Sequence, residues 1–178
     1  MKEPQSALEL NFEIRSDLNL IPGVVKKIIE SSSGMFDDLY MLEVAIYEAV
    51  YNAIEHGNLE ITRSRKEKMI EEGTYDDFLK GRASKENCVS KKVEIKLICC
   101  KENLKIEIKD EGKGFNWKEE MTNAKIFDGK DLNQFNGYGL RIILSVFDEV
   151  FYNESGNHLT MIKFRKNMEE RIEKNTDC

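Results

Sequence analysis

The chain has 178 residues, 40% of them hydrophobic and 34% charged, with a formal charge of −6 at neutral pH. That length suits one domain with a real core, and the acidic balance argues against nonspecific nucleic-acid binding, which needs a basic footprint. No apolar run approaches the roughly 20 residues of a membrane span, and MKEPQSALEL has no apolar core of a signal peptide, so a cytoplasmic protein is expected.

LELNFEI (8–14) alternates apolar and polar residues, as a half-buried strand does. A helix follows, with Ser16 or Asp17 as cap and Val24, Val25, Ile28 and Ile29 as its apolar stripe. The next helix is expected from about Asp37 to His56, with Gly57 as a C-terminal glycine cap. Residues 59–92 lose clear periodicity and carry both charge signs, so they read as an inserted surface segment of one or two short helices. VEIKLICC and LKIEIKD flank a polar turn and form a hairpin by pattern. Residues 111–136 show no convincing apolar period and read as a long loop. A helix starts near Gly139, and EVFYN and HLTMIKF form a second hairpin before a charged tail at 167–178. Strands joined by short turns, with helices between them, predict an α+β fold: a two-layer sandwich with a mainly antiparallel sheet and helices on one face.

The four cysteines (Cys88, Cys99, Cys100 and Cys178) lack CxxC spacing and nearby histidines, which argues against zinc and for reduced thiols.

Three short motifs carry chemistry. Glu48 and Asn52 interrupt an apolar helix at i, i+4 and so share one face. A carboxamide oxygen suits Mg2+, and a carboxylate can orient or deprotonate a hydroxyl; taken alone, such a pair is usually solvated surface. Asp110 ends a strand before Gly112 and Gly114. A tight turn explains this blandly; a nucleotide reading has the carboxylate accept from an adenine amine while the glycines admit the base. Gly137 and Gly139 open a helix whose free N–H groups attract phosphate, although glycine is common where loops become helices.

In this order, ExxxN, DxGxG and GxG, the motifs resemble the GHKL ATPase superfamily, which shares the Bergerat ATP-binding fold. Within it, EAVYNAIEHGN, DEGKGFNW and DEVFYNESGNHLTMIKF look like the anti-sigma-factor serine/threonine kinases and related histidine-kinase-like ATPase domains. The resemblance covers about residues 8–166. It implies ATP and Mg2+ as cofactors, with Asn52 holding Mg2+ and Glu48 as catalytic base. Asp110 would bind the adenine amine, with Thr160 supporting the base; Gly112, Gly114, Gly137 and Gly139 would shape the adenine pocket and phosphate lid. Residues 115–136 would be the ATP lid. The implied partners are proteins, an anti-sigma antagonist and/or a sigma factor; a homodimer stays open, and neither nucleic acid nor membrane is expected. The chain would transfer the γ-phosphate to a small antagonist in a partner-switching pathway, or else act as a nucleotide-gated binding module that sequesters a regulator without kinase activity. The insertion at 59–92 departs from a compact kinase of this type, and no Lys or Arg immediately precedes Gly137; Lys130 and Arg141 are the nearest. Lys113 and Arg141 could reach phosphates, although an exposed basic residue is usually just solvated. His56 and His158 read as structural.

Overall fold

The computed structural model describes residues 7–85, 88, 90–126 and 138–165. Gly137, Lys130, the second half of the expected lid and the charged tail lie outside the described residues.

Five strands, β1 (Leu8–Arg15), β2 (Lys92–Cys99), β3 (Asn103–Asp110), β4 (Glu149–Tyr152) and β5 (His158–Phe164), form one antiparallel sheet in the order β1-β2-β3-β5-β4. The β2–β3 and β4–β5 hairpins match the expected pattern. Their alternation decides the faces: Val93, Ile95 and Leu97 on β2 and Leu104, Ile106 and Ile108 on β3 are buried, and their neighbours are not. Asp17 caps a short 3-10 turn (Leu18–Leu20) by accepting from the Asn19 N–H, and α1 (Ile21–Ser31) follows with Pro22 in its first turn. Helix α2 (Leu39–Asn52) is capped by Asp38, which accepts from the Met41 N–H at 3.0 Å. The core is the interface of these helices with the sheet: Ile21 and Ile28, Leu42, Ile46 and Val50, against Ile95, Leu97, Ile106 and Met161. Each fully buried side chain of this kind contributes about 1.5–3 kcal/mol.

The inserted segment holds two short helices, α3 (Arg63–Glu71) and α4 (Tyr75–Ala83), neither with a buried residue. Part of the region expected as a long loop is helical: α5 (Trp117–Ile126) starts with Glu119 and Glu120 in its first turn, where carboxylates suit the helix dipole. Its start is seated on β4, with Phe115 edge-on to Tyr152 (5.1 Å) and Trp117 stacked on it (6.2 Å). The last helix, α6 (Tyr138–Val146), buries Ile143 and Val146.

A second expectation is also corrected. The second helix does not run to a glycine cap. The α-helix ends at Asn52, and the chain continues as a π-turn over Ala53–Asn58. Gly57 lies inside that turn and lacks the left-handed backbone of a cap; the positive φ falls at Glu60 (φ 53°). The wider turn is sustained because its two fully buried polar residues, Glu55 and Asn58, both find partners.

Candidate functional site

Asp110 occupies the last core-facing position of β3, continuing the series Leu104, Ile106, Ile108. A carboxylate at a position built for an apolar residue is only 8% exposed. Burial pushes its pKa up to about 6, against a partial pull downward from the Gly112 N–H, which donates to Oδ1 at 2.8 Å. The glycines around it are clearances. A Cβ on Gly57 would meet the Asp110 carboxylate, one on Gly112 would meet the Gly57 carbonyl, and one on Gly114 (φ 75°) would collide with the Ser155 carbonyl.

Asn58 holds this corner in place, a residue that sequence reasoning passed over. Its Oδ1 accepts from the Glu111 N–H (2.7 Å), and its Nδ2 donates to Ser16 Oγ and the Lys92 carbonyl (both 2.9 Å). The turn after β3 is thereby tied to the end of β1 and the start of β2. An asparagine directly after a glycine in an apolar helix was the only signal.

Glu48 and Asn52 share one face of α2, and Gly139 at the start of α6 packs directly upon them: a Cβ there would meet Glu48 Oε2, with Asn52 Nδ2 3.5 Å away. Helix α6 can approach Glu48 this closely only because residue 139 is glycine. Burial raises the Glu48 pKa, the Glu55 carboxylate adds to that, and Lys66 opposes it.

Both groups border one cavity of about 700 Å3, within the usual range for a small-molecule site. Glu48, Asn52 and Gly139 line one part of it; Gly57, Gly114 and the apolar Ile108 and Leu159 line another, with the Asp110 carboxylate behind Gly57. Lys113 lines it and stands 3.7 Å from Glu60. The inserted segment, expected as mere surface, forms a wall through Ile61, Thr62, Arg63, Lys66 and Ile70. Tyr152 also lines it; burial and the Asp110 carboxylate raise its phenol well above the ordinary range.

The structure thus brings together Glu48, Asn52, Asp110, Gly112, Gly114 and Gly139. Thr160 does not join them. It pairs with Glu107 on β3 and Phe151 on β4, one position out of phase with Leu159 and Met161, so its side chain lies on the sheet face away from the helices. Leu159, opposite Ile108, stands at the cavity instead. Arg141 lies over the Tyr138 ring (5.6 Å).

The site fits an adenine nucleotide: a buried acceptor beside apolar walls and clearances that a Cβ would fill. Among the described residues no group of three His, Cys, Asp or Glu could hold a metal on its own. The Asn52 side-chain carbonyl is a hard oxygen that could hold a Mg2+ ion whose other ligands are water and phosphate. Among the described residues no helix is long and apolar enough to cross a membrane.

The comparisons agree with this geometry. A family model described as a histidine kinase-like ATPase domain matches residues 82–163. The serine-protein kinase RsbW of Staphylococcus epidermidis is 24% identical over 183 aligned residues, covering 97% of this chain and 99% of that protein. RsbW of Staphylococcus aureus (strain MSSA476) is 26% identical over 185 residues with the same coverage. With an antiparallel sheet and the ordered ExxxN and DxGxG motifs around one cavity, the chain is thus similar to the histidine kinase-like ATPase domain over residues 82–163 and to the RsbW serine-protein kinases over nearly its full length.

Proposed function

We propose that this chain is an ATP- and Mg2+-dependent protein serine/threonine kinase of the anti-sigma-factor type, which phosphorylates a small antagonist protein and binds a sigma factor or similar regulator. The observation that carries the reading is the placement of Glu48, Asn52 and Gly139 along the same cavity as the Asp110 corner. The names of the RsbW relatives support serine as the acceptor.

In this reading the Asp110 carboxylate accepts a hydrogen bond from the adenine N6 amine, and Ile108 and Leu159 pack on the base. Asn52 holds Mg2+, which supplies charge neutralisation at the phosphate oxygens. Glu48 takes the proton from the acceptor hydroxyl as its oxygen bonds to the γ-phosphorus; the bond from that phosphorus to the β–γ bridging oxygen breaks, and ADP leaves. The raised pKa makes Glu48 a stronger base than an ordinary carboxylate. It also places the acidic limb of the rate profile above the usual carboxylate range, because the protonated form cannot accept the proton.

The test is transfer of label from ATP to an antagonist protein encoded beside this gene. Glu48→Gln should lower transfer about 100-fold or more while ATP binding stays within about threefold. Transfer that survives Glu48→Gln contradicts the assignment of the base. ATP-dependent capture of the partner without any transfer by the wild-type chain contradicts the kinase reading, and is the behaviour of a sequestering module.

A further inference from the structure

Helix α3 turns one face to the cavity: Arg63, Lys66 and Ile70, at i, i+3 and i+7, all line it. Glu48 and Asn52 on α2, and His56 in the π-turn that continues it, line the same cavity. The Lys66 ammonium lies over the Tyr51 ring at 5.1 Å, and Tyr51 directly precedes Asn52, so α3 meets α2 at its Asn52 end. The inserted helix therefore brings cationic side chains to the part of the cavity where the nucleotide reading puts the phosphates.

The cations differ in what holds them. Lys66 donates to Glu55 Oε2 at 2.8 Å, and the Glu55 side chain is fully buried. Releasing Lys66 to a ligand would strand a carboxylate away from water, which is strongly unfavourable. Lys113 lies in the turn after Asp110, far in sequence from the Glu48 face, and is 85% exposed. Arg63 is placed differently. Its Nη2 is 3.1 Å from Glu120 Oε2 on α5, and both side chains are partly exposed, at 45% and 36%. If Arg63 leaves, Glu120 returns to water at little cost. Arg63 and Glu120 both line the cavity, so the exchange needs no large movement of either element.

We infer that Arg63, carried by the inserted helix, binds the terminal phosphates of the nucleotide, and that Glu120 holds its guanidinium until the phosphates displace that carboxylate. This rests on the nucleotide reading above. A guanidinium presents a planar set of donors that matches phosphate oxygens, and two charged oxygens of a triphosphate outcompete one exposed carboxylate. The chain thereby gains a phosphate-facing cation from a segment that the three glycine and carboxylate motifs do not include. Glu120 acts as a competitor in this arrangement.

The experiment measures binding of ATP, ADP and AMP, each with Mg2+, to the full chain and to Arg63→Ala, Arg63→Lys and Glu120→Gln. Thermal unfolding of each variant confirms an intact fold. Arg63→Ala should weaken ATP about tenfold or more and leave AMP within about twofold, so that the preference for ATP over AMP collapses. Arg63→Lys should fall between. Glu120→Gln should bind ATP as tightly as the wild type or tighter, because a competitor is gone. If wild-type chain prefers ATP to AMP and Arg63→Ala keeps that preference, the inference is overturned while the nucleotide reading stands. If Arg63→Ala and Glu120→Gln weaken all three nucleotides alike, the pair is a structural latch between α3 and α5, which also overturns it. Wild-type chain that binds none of the three nucleotides overturns both.

Discussion

Asp110→Asn should weaken adenine-nucleotide binding by about two orders of magnitude and, without nucleotide, make the protein more stable at pH 7.5. The two effects share one cause. The carboxylate sits at a core position, and its pKa rises to about 6 from an ordinary 3.8 because burial disfavours the charge. A carboxyl raised in this way favours the fold when protonated. Its contribution is fully present below about pH 3.8 and is lost as the pH rises through about 6. At neutral pH the ionised group costs about 3 kcal/mol relative to the unfolded chain. Asparagine does not titrate and can still accept from the Gly112 N–H, so the stability gain of the variant should grow from about pH 4 to about pH 7 and level off above it. Urea unfolding across that range measures it; a difference that stays flat with pH contradicts the buried-charge explanation. Under the proposed reading binding runs the other way, since the ionised form would be the acceptor for adenine. Adenosine, whose lack of phosphates removes a competing titration, should bind progressively more weakly as the pH falls below about 6.

Lys66→Met should destabilise the chain by about 3–5 kcal/mol, large for a residue in a segment that looks like surface. Glu55, fully buried in the π-turn, is satisfied by the Tyr51 hydroxyl (2.9 Å) and the Lys66 ammonium (2.8 Å). His56 donates from Nδ1 to the Ile61 carbonyl at 2.6 Å, which fixes its ring. Removing the ammonium leaves the carboxylate buried with insufficient compensation. Glu55→Gln combined with Lys66→Met removes the charge as well, and should recover most of the loss. Chemical denaturation of the two single variants and the double variant gives the coupling. A Lys66→Met cost below about 1 kcal/mol would mean that the insertion is not anchored through this pair.

Much of the fold was legible because strand alternation and helix periodicity are local. Val93 to Leu97 and Leu104 to Ile108 announce their buried faces, and α2 shows its apolar stripe around Glu48 and Asn52. The strand order was not legible, since pairing of β3 with β5 brings together residues about fifty positions apart, and no local pattern encodes it. The π-turn was missed because nothing in AIEHGN marks an extra residue per turn; Gly57 has the look of a cap, while its purpose is room for Asp110. Thr160 was carried over from the resemblance, but the ladder register, with Leu159 opposite Ile108, turns it to the far face. Arg63 and Lys66 were hidden in a charged segment without periodicity. Which charges of such a segment point inward is decided by what the segment packs against, here the Tyr51–Glu55 face.

Equilibrium titration of the full chain with ATP and with GTP, both with Mg2+, reaches the central claim most directly. In the proposed reading the Asp110 carboxylate accepts from the adenine N6 amine, whereas it would face the carbonyl oxygen that guanine carries at the equivalent position, an unpaired and repulsive contact. Saturable one-site binding of ATP, with GTP at least about tenfold weaker, is the predicted result. Equal affinity for the two nucleotides, or no saturable binding of ATP, would contradict it.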